Sequence, residues 1–157
     1  MAKPFTWSYS TLSTFEQCPK KYWLMNVTKE VKDEDSEAQA DGKFIHDALY
    51  KRVIKSVPLP MELTPLEKMA KKFADAKGEK KGEMRLALNR NFEPVDFFAH
   101  DVWVRSIVDL LIVRDKTAIV TDYKTGKVKD DFTQLGLTCA VLASWLPDVD
   151  LFIGMFA

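Results

Sequence analysis

Three residues carry the chemistry this sequence suggests: Asp109, Asp122 and Lys124. Asp109 interrupts the apolar run Ile107-Val108-Asp109-Leu110-Leu111-Ile112-Val113. A carboxylate there is costly to ionise unless something pairs with it. Asp122 and Lys124 have D-x-K spacing, and on a strand such a pair shares one face. Two neighbouring carboxylates repel, and a divalent cation is a common remedy. With a lysine beside them, the set suits phosphodiester hydrolysis. A metal polarises the phosphate and acidifies a water, and the lysine positions that water or neutralises developing charge. An isolated D-x-K is more often a structural ion pair at a sheet edge. With Asp109 buried nearby, residue chemistry alone favours neither reading.

The elements needed to position these residues are legible in outline. Val102–Val113 and Thr117–Tyr123 are rich in β-branched and aromatic residues, as buried strands are. A polar turn at Arg114–Lys116 joins them into a hairpin, which places a residue near 121 or 122 opposite Asp109. Upstream, Ser13 and Glu16 have capping-box spacing for a first helix, with Ser10 as the alternative cap, and Pro19 should kink or divide that helix. Residues 29–37 form a charged connector. A second helix is expected over Glu37–Lys55, from the spacing of Phe44, Ile45, Ala48, Leu49 and Ile54. Thr64, Pro65 and Glu67 read as N-cap, N1 and N3 of a third helix, with Gly78 and Gly82 bracketing its lysine-rich exit. A short strand over Met84–Leu88 follows. Asp130 or Asp131 caps a fourth helix ending near Pro147, and Leu151–Phe156 is a last strand. The order is helices, three strands, one helix, one strand: an α/β domain with a central mixed sheet.

Composition bounds the function. The 157 residues suit one domain, and 46% hydrophobic with 29% charged residues is a globular composition. Lys+Arg and Asp+Glu balance at 23 each, which argues against coating nucleic acid by bulk charge but leaves room for a local basic groove. No apolar run is long enough to cross a bilayer, and the N-terminus lacks a signal-peptide core. Cys18 and Cys139 stand far apart, so zinc and a disulfide framework are poor fits, and a reducing, cytoplasmic location is expected.

Asp122-Tyr123-Lys124-Thr125-Gly126-Lys127 resembles the D-x-K-T-G-K signature of RecB-like nucleases in the PD-(D/E)XK superfamily. Asp109, thirteen residues upstream, stands where that group carries an aspartate on the preceding strand. Gly42–His46 matches its G-x-x-x-H on a helix. Ser8-Tyr9-Ser10-Thr11-Leu12, Phe15, Cys18-Pro19 and Tyr22 match its N-terminal S-x-S-x-L-x-x-F/Y-x-x-C-P-x-x-Y run, and Gln134 matches the glutamine of the following helix. Relatives include the nuclease parts of RecBCD and AddAB, CRISPR-associated exonucleases and phage recombination exonucleases. The resemblance implies a restriction-endonuclease-like core, a central mixed β-sheet flanked by helices. It also implies a DNA nuclease, an exonuclease by analogy, dependent on magnesium or manganese. Repair, recombination or phage DNA processing is the implied setting, with a helicase or recombination protein as partner. Carried over by position, His46, Asp109, Asp122 and the Tyr123 carbonyl are metal ligands. Lys124 handles the attacking water or the phosphate, and Glu83 and Gln134 are supporting residues. Lys20, Lys21, Tyr22, Lys127 and Lys129 flank the motifs and are the candidates for DNA contact.

The sequence also departs from that pattern. Ser106 replaces the glycine of G-x-x-D, and Thr138 replaces a tyrosine four residues after the glutamine. Some relatives hold an iron–sulfur cluster on one early and three late cysteines; the late trio is absent, so no cluster is expected. Relatives usually continue beyond the final apolar run, so residues 1–157 read as one nuclease domain, compact or C-terminally truncated. A catalytically silent nuclease-like module binding nucleic acid or a partner is the alternative, although silent modules usually lose one of His46, Asp109, Asp122 and Lys124.

Overall fold

The structure, a computed structural model, describes residues 5–32, 37–126 and 132–157. Four strands form one mixed sheet in chain order: β1 (Glu79–Leu88), β2 (Val104–Arg114), β3 (Thr117–Asp122) and β4 (Leu151–Phe156). The first three are antiparallel, and β4 pairs parallel to β3. Helices α1 (Tyr9–Gln17), α2 (Pro19–Tyr22), α3 (Glu37–Lys55), α4 (Glu67–Asp75) and α5 (Thr133–Trp145) surround it. This is the expected α/β architecture, a mixed sheet flanked by helices. Among the described residues no helix is long and apolar enough to cross a membrane.

Two cores sit on the two sides of the sheet. Leu135, Val141 and Leu142 of α5 pack with Leu86, Leu88, Leu111 and Val120. Leu49 and Val53 of α3 and Ala70 of α4 pack with Leu110, Ile112 and Tyr123. The middle strand β2 is therefore buried on both faces along Leu110–Ile112, which explains its continuous apolar run. Arg52 of α3 grips Glu67 at the start of α4 with a bidentate pair, Nη2 to Oε1 at 2.6 Å and Nε to Oε2 at 3.0 Å.

Several local expectations are corrected. The first helix starts earlier than Ser13 or Ser10 implied: Ser8 is the N-cap, and Thr11 Oγ1 accepts the Ser8 N–H at 2.8 Å to close the box. Pro19 does divide the region and stands at N1 of α2, whose cap is Cys18. Thr64 does not cap a helix. Its hydroxyl folds back to the Met61 carbonyl at 2.7 Å within a 3-10 turn, Met61–Leu66, that contains Pro65, and α4 begins only at Glu67. The strand expected from Met84 begins at Glu79, and Gly82 lies inside it rather than in a helix exit. Ladder pairing with β2 overrides the poor strand propensity of Glu79-Lys80-Lys81. The hairpin turn tightens to Asp115-Lys116, with Asp115 at φ 52°. The proposed caps Asp130 and Asp131 lie outside the described residues.

Gly82 is required by packing. A Cβ there would come within 2.5 Å of Tyr50 Cδ2 and 3.0 Å of Ile54 Cγ1, so α3 lies directly on the β1 backbone. Gly82→Ala should therefore destabilise the fold by about 1–3 kcal/mol through overpacking. Urea denaturation measures this, and an unchanged midpoint would mean that α3 does not rest on β1.

Candidate metal centre

The centre forms where three strands present one carboxylate each. The β1–β2 register skips the pair that would join Glu83 to Asp109, between Gly82↔Leu110 and Met84↔Val108. The β2–β3 register, continued one position beyond Leu110↔Thr121, sets Asp109 opposite Asp122. Glu83, Asp109 and Asp122 thus form a row across the sheet.

The ladder is distorted at this row. Glu83 has φ 51°, a left-handed conformation rare for a glutamate. Side-chain alternation inverts there. Ser106 faces α5, with its hydroxyl 2.9 Å from that of Thr138. Leu110, of the same parity, belongs to the α3 core instead, as does the face of its partner Gly82. The break in the ladder turns the acidic row out of both cores and towards His46 at the middle of α3.

Asp109 is fixed at both oxygens. Oδ2 accepts the Tyr123 N–H at 2.8 Å, and Oδ1 stands 3.3 Å from His46 Nδ1. His46 Nε2 lies 3.0 Å from the Tyr123 carbonyl, so each ring nitrogen faces an acceptor. The Asp109 carboxylate, helped by the Tyr123 carbonyl and the charge of Glu83, raises the His46 pKa against the opposing effect of burial. Partial burial raises the Glu83 carboxyl, and the negative charge of Asp109 adds to it. Burial, then the charges of Asp109 and Glu83, raises the Tyr123 phenol strongly.

Gly42 explains how His46 arrives. A Cβ at Gly42 would stand 3.3 Å from Thr125 Oγ1, so α3 passes close to the loop after β3 and delivers His46 one turn later. A cleft of about 670 Å³ opens here, lined by Gly42, His46, Tyr50, Glu83 and Thr125 among others. Tyr50 escaped the sequence reading, although its i,i+4 spacing from His46 put it on the same helix face.

On the other side of the row, Asp122 is held by a closed ring of polar contacts. Gln134 Nε2 donates to Asp122 Oδ1 at 2.6 Å, and Lys124 Nζ donates to Gln134 Oε1 at 2.8 Å. The Lys124 ammonium also stands 2.6 Å from Asp122 Oδ2, a buried oxygen with which it forms an ion pair. Burial raises the Asp122 pKa, with Lys124 opposing and Asp109 adding to the rise. Ser106 and Thr138, the two departures noted in the sequence, are partners: besides their mutual contact, the Thr138 hydroxyl donates to the Gln134 carbonyl at 2.9 Å. That chain fastens the first turn of α5 to β2. Its signal in the sequence was the joint change of two positions.

Imidazole nitrogen and carboxylate oxygens of His46, Glu83 and Asp109 all lie within 4.8 Å of one another. Opposed ligands of a magnesium-sized cation are separated by about 4.2 Å, so the cluster is close to a coordinating arrangement. Two carboxylates and one imidazole are ligands for a divalent cation. The donor set of His46, Glu83 and Asp109 fits a divalent cation, while both Asp122 oxygens face Gln134 and Lys124.

A family model of the PD-(D/E)XK nuclease superfamily matches residues 6–145. The chain belongs to the PD-(D/E)XK nuclease superfamily. Its sheet and flanking helices are the restriction-endonuclease-like core expected of that superfamily, whose members are typically metal-dependent nucleases. No curated protein matches the chain. Within this PD-(D/E)XK domain, the remaining candidates do not join the centre. Tyr22 stacks edge-on against Phe15, with centroids 5.5 Å apart, and lines a separate apolar cavity with Trp7 and Trp103. Lys20 and Lys21 are exposed on α2, which packs on α1. Lys127 and Lys129 lie outside the described residues. Cys18 caps α2 and Cys139 packs beside the α5 core.

The geometry yields a prediction for Asp122→Asn. The folded-state pKa of Asp122 lies above its unfolded value, so the ionised carboxylate opposes folding near neutral pH, an effect relieved as pH falls through the folded-state pKa. The variant in EDTA should melt as high as the parent or higher. The parent should gain stability from added manganese, and the variant should lose most of that gain. Thermal melts in EDTA and in manganese distinguish this from a structural Asp122–Lys124 pair, which requires a lower apo melt and an unchanged manganese response.

Proposed function

We propose that this chain is a divalent-metal-dependent deoxyribonuclease, acting as an exonuclease in DNA repair, recombination or phage DNA processing. The observation that carries the reading is the convergence of His46, Glu83 and Asp109 beside the Asp122–Lys124–Gln134 ring. His46, Asp109, Asp122 and the Tyr123 carbonyl would hold magnesium or manganese, with Glu83 as a further carboxylate. When bound, the cation polarises the phosphodiester and makes a water nucleophilic near neutral pH.

The chain's own residues do the rest. The Tyr123 N–H fixes the rotamer of Asp109, so its other oxygen stays aimed at His46. Gln134 holds Lys124 beside Asp122, where the ammonium orients the attacking water and offsets charge on the phosphate. Residues 1–157 act as one nuclease domain in the cytoplasm, with DNA as substrate and a helicase or recombination protein as companion.

Cleavage of linear, circular, single- and double-stranded DNA, in magnesium or manganese against EDTA, tests this. We expect metal-dependent cutting that favours linear DNA. His46→Ala, Asp109→Ala and Lys124→Ala should each slow it by about a hundredfold or more. Lys124→Ala should keep the manganese-induced rise in melting temperature, because the lysine is not a ligand. Undiminished cutting in EDTA or by Asp109→Ala would end the reading.

A further inference from the structure

We propose that the end of β1 and β2 beyond the acidic row, with the loop between them, is a binding platform for a single strand of DNA; the proposal rests on the nuclease reading. Phe97 and Phe98 meet edge to face with centroids 5.2 Å apart, and Phe98 is 70% exposed. Two arginines flank them. The Arg105 guanidinium lies 5.1 Å from the Phe97 centroid and 5.8 Å from that of Phe98, and Arg85 lies 5.7 and 5.9 Å from the same rings.

This patch is built rather than incidental. Arg105 Nε donates to the Phe97 carbonyl at 2.7 Å, and Asp96 Oδ1 accepts the Phe98 N–H at 2.9 Å, so the backbone that carries the two rings is held in place. A second acid of the loop, Glu93, accepts from Asn89 Nδ2 at 2.8 Å. The exposed ring and two guanidinium groups combine a stacking surface with positive charge, the pairing that single-stranded nucleic acid requires. A duplex keeps its base faces stacked and cannot use the Phe98 ring.

Placement selects DNA over another aromatic-seeking partner. Arg85 pairs with Ile107, and the next same-parity row along these strands is Glu83–Asp109, about 7 Å away. β3 ends at Asp122, the row opposite Asp109; further along, Trp7 bridges to Val104 and accepts the Arg105 N–H at 2.9 Å, and among the described residues no strand covers the β2 edge at Ser106–Ile107 between them. A groove of about 340 Å³ follows this edge from Phe97 and Arg105 to Gln134, which holds Asp122 and Lys124. A strand stacked on Phe98 with its phosphates on the arginines is thereby led to the candidate centre.

The test is fluorescence anisotropy of a labelled oligothymidylate of about 16 nucleotides and of a duplex of the same length, in EDTA so that no cutting occurs. Phe98→Ala and Arg85→Ala should each weaken oligothymidylate binding by about fivefold to a hundredfold, and Phe98→Ala should leave duplex binding unchanged. Both should melt, and respond to manganese, like the parent. Parent-like oligothymidylate binding by Phe98→Ala overturns the platform, even if Arg85→Ala binds weakly, because charge attraction alone then remains. An equal loss on the duplex overturns the single-strand assignment. A parent that binds through Phe98 but never cuts DNA keeps the platform and removes the nuclease reading. A parent that cuts while Phe98→Ala binds normally removes only the platform.

Discussion

The Asp109 carboxylate is the constraint on which the site depends. It sits on the middle strand of the sheet, between Val108 and Leu110, each only 1% exposed. An ionised group there is stable only where donors and positive charge meet it. The fold supplies a backbone N–H from the end of β3 and an imidazole from α3. Those two donors also tie the strand end and the helix to each other, through the contact of His46 with the Tyr123 carbonyl. A cation placed in this cluster would serve the same carboxylate, so the architecture that tolerates the charge is the one that can use it.

Strain at Glu83 serves the same end. A regular β1–β2 ladder would carry one alternation from end to end and direct the acidic row into one core or the other. The left-handed residue breaks that alternation, so one half of the pair packs on α5 and the other half on α3. Left-handed glutamate is unfavourable, and such residues concentrate where geometry matters more than local comfort. The row lies at the seam between the two cores, where water and ions have access.

Motif chemistry was the most legible level of the sequence. Asp109, Asp122, Lys124 and His46 were singled out from residue type and spacing together with the family pattern, and the hairpin count left 121 or 122 opposite Asp109; the two-residue turn at Asp115-Lys116 selects 122, because antiparallel register follows from turn length. The end of α3 and both boundaries of β4 were legible because their apolar patterns run to those positions. The start of β1 was not, since lysine-rich residues form a strand there only through pairing with β2. Thr64 misled because a threonine hydroxyl can cap forwards or fold backwards with equal chemistry. The Arg85–Phe98–Arg105 cluster was invisible for another reason: its members come from two strands and a loop, and no one-dimensional spacing brings them together.

Helix α3 touches the rest of the molecule at two places where side chains have been pared away. Near its start Gly42 lets it approach Thr125, and near its end Tyr50 and Ile54 rest on the bare backbone of Gly82. Between these contacts the helix behaves as a rigid beam on two supports, with His46 carried on the span. A beam so held transmits small displacements of either support to whatever it carries. The reach of the imidazole is therefore set partly at Gly82, on the neighbouring strand, and the tolerance of the centre to change extends well outside the residues that would touch a metal.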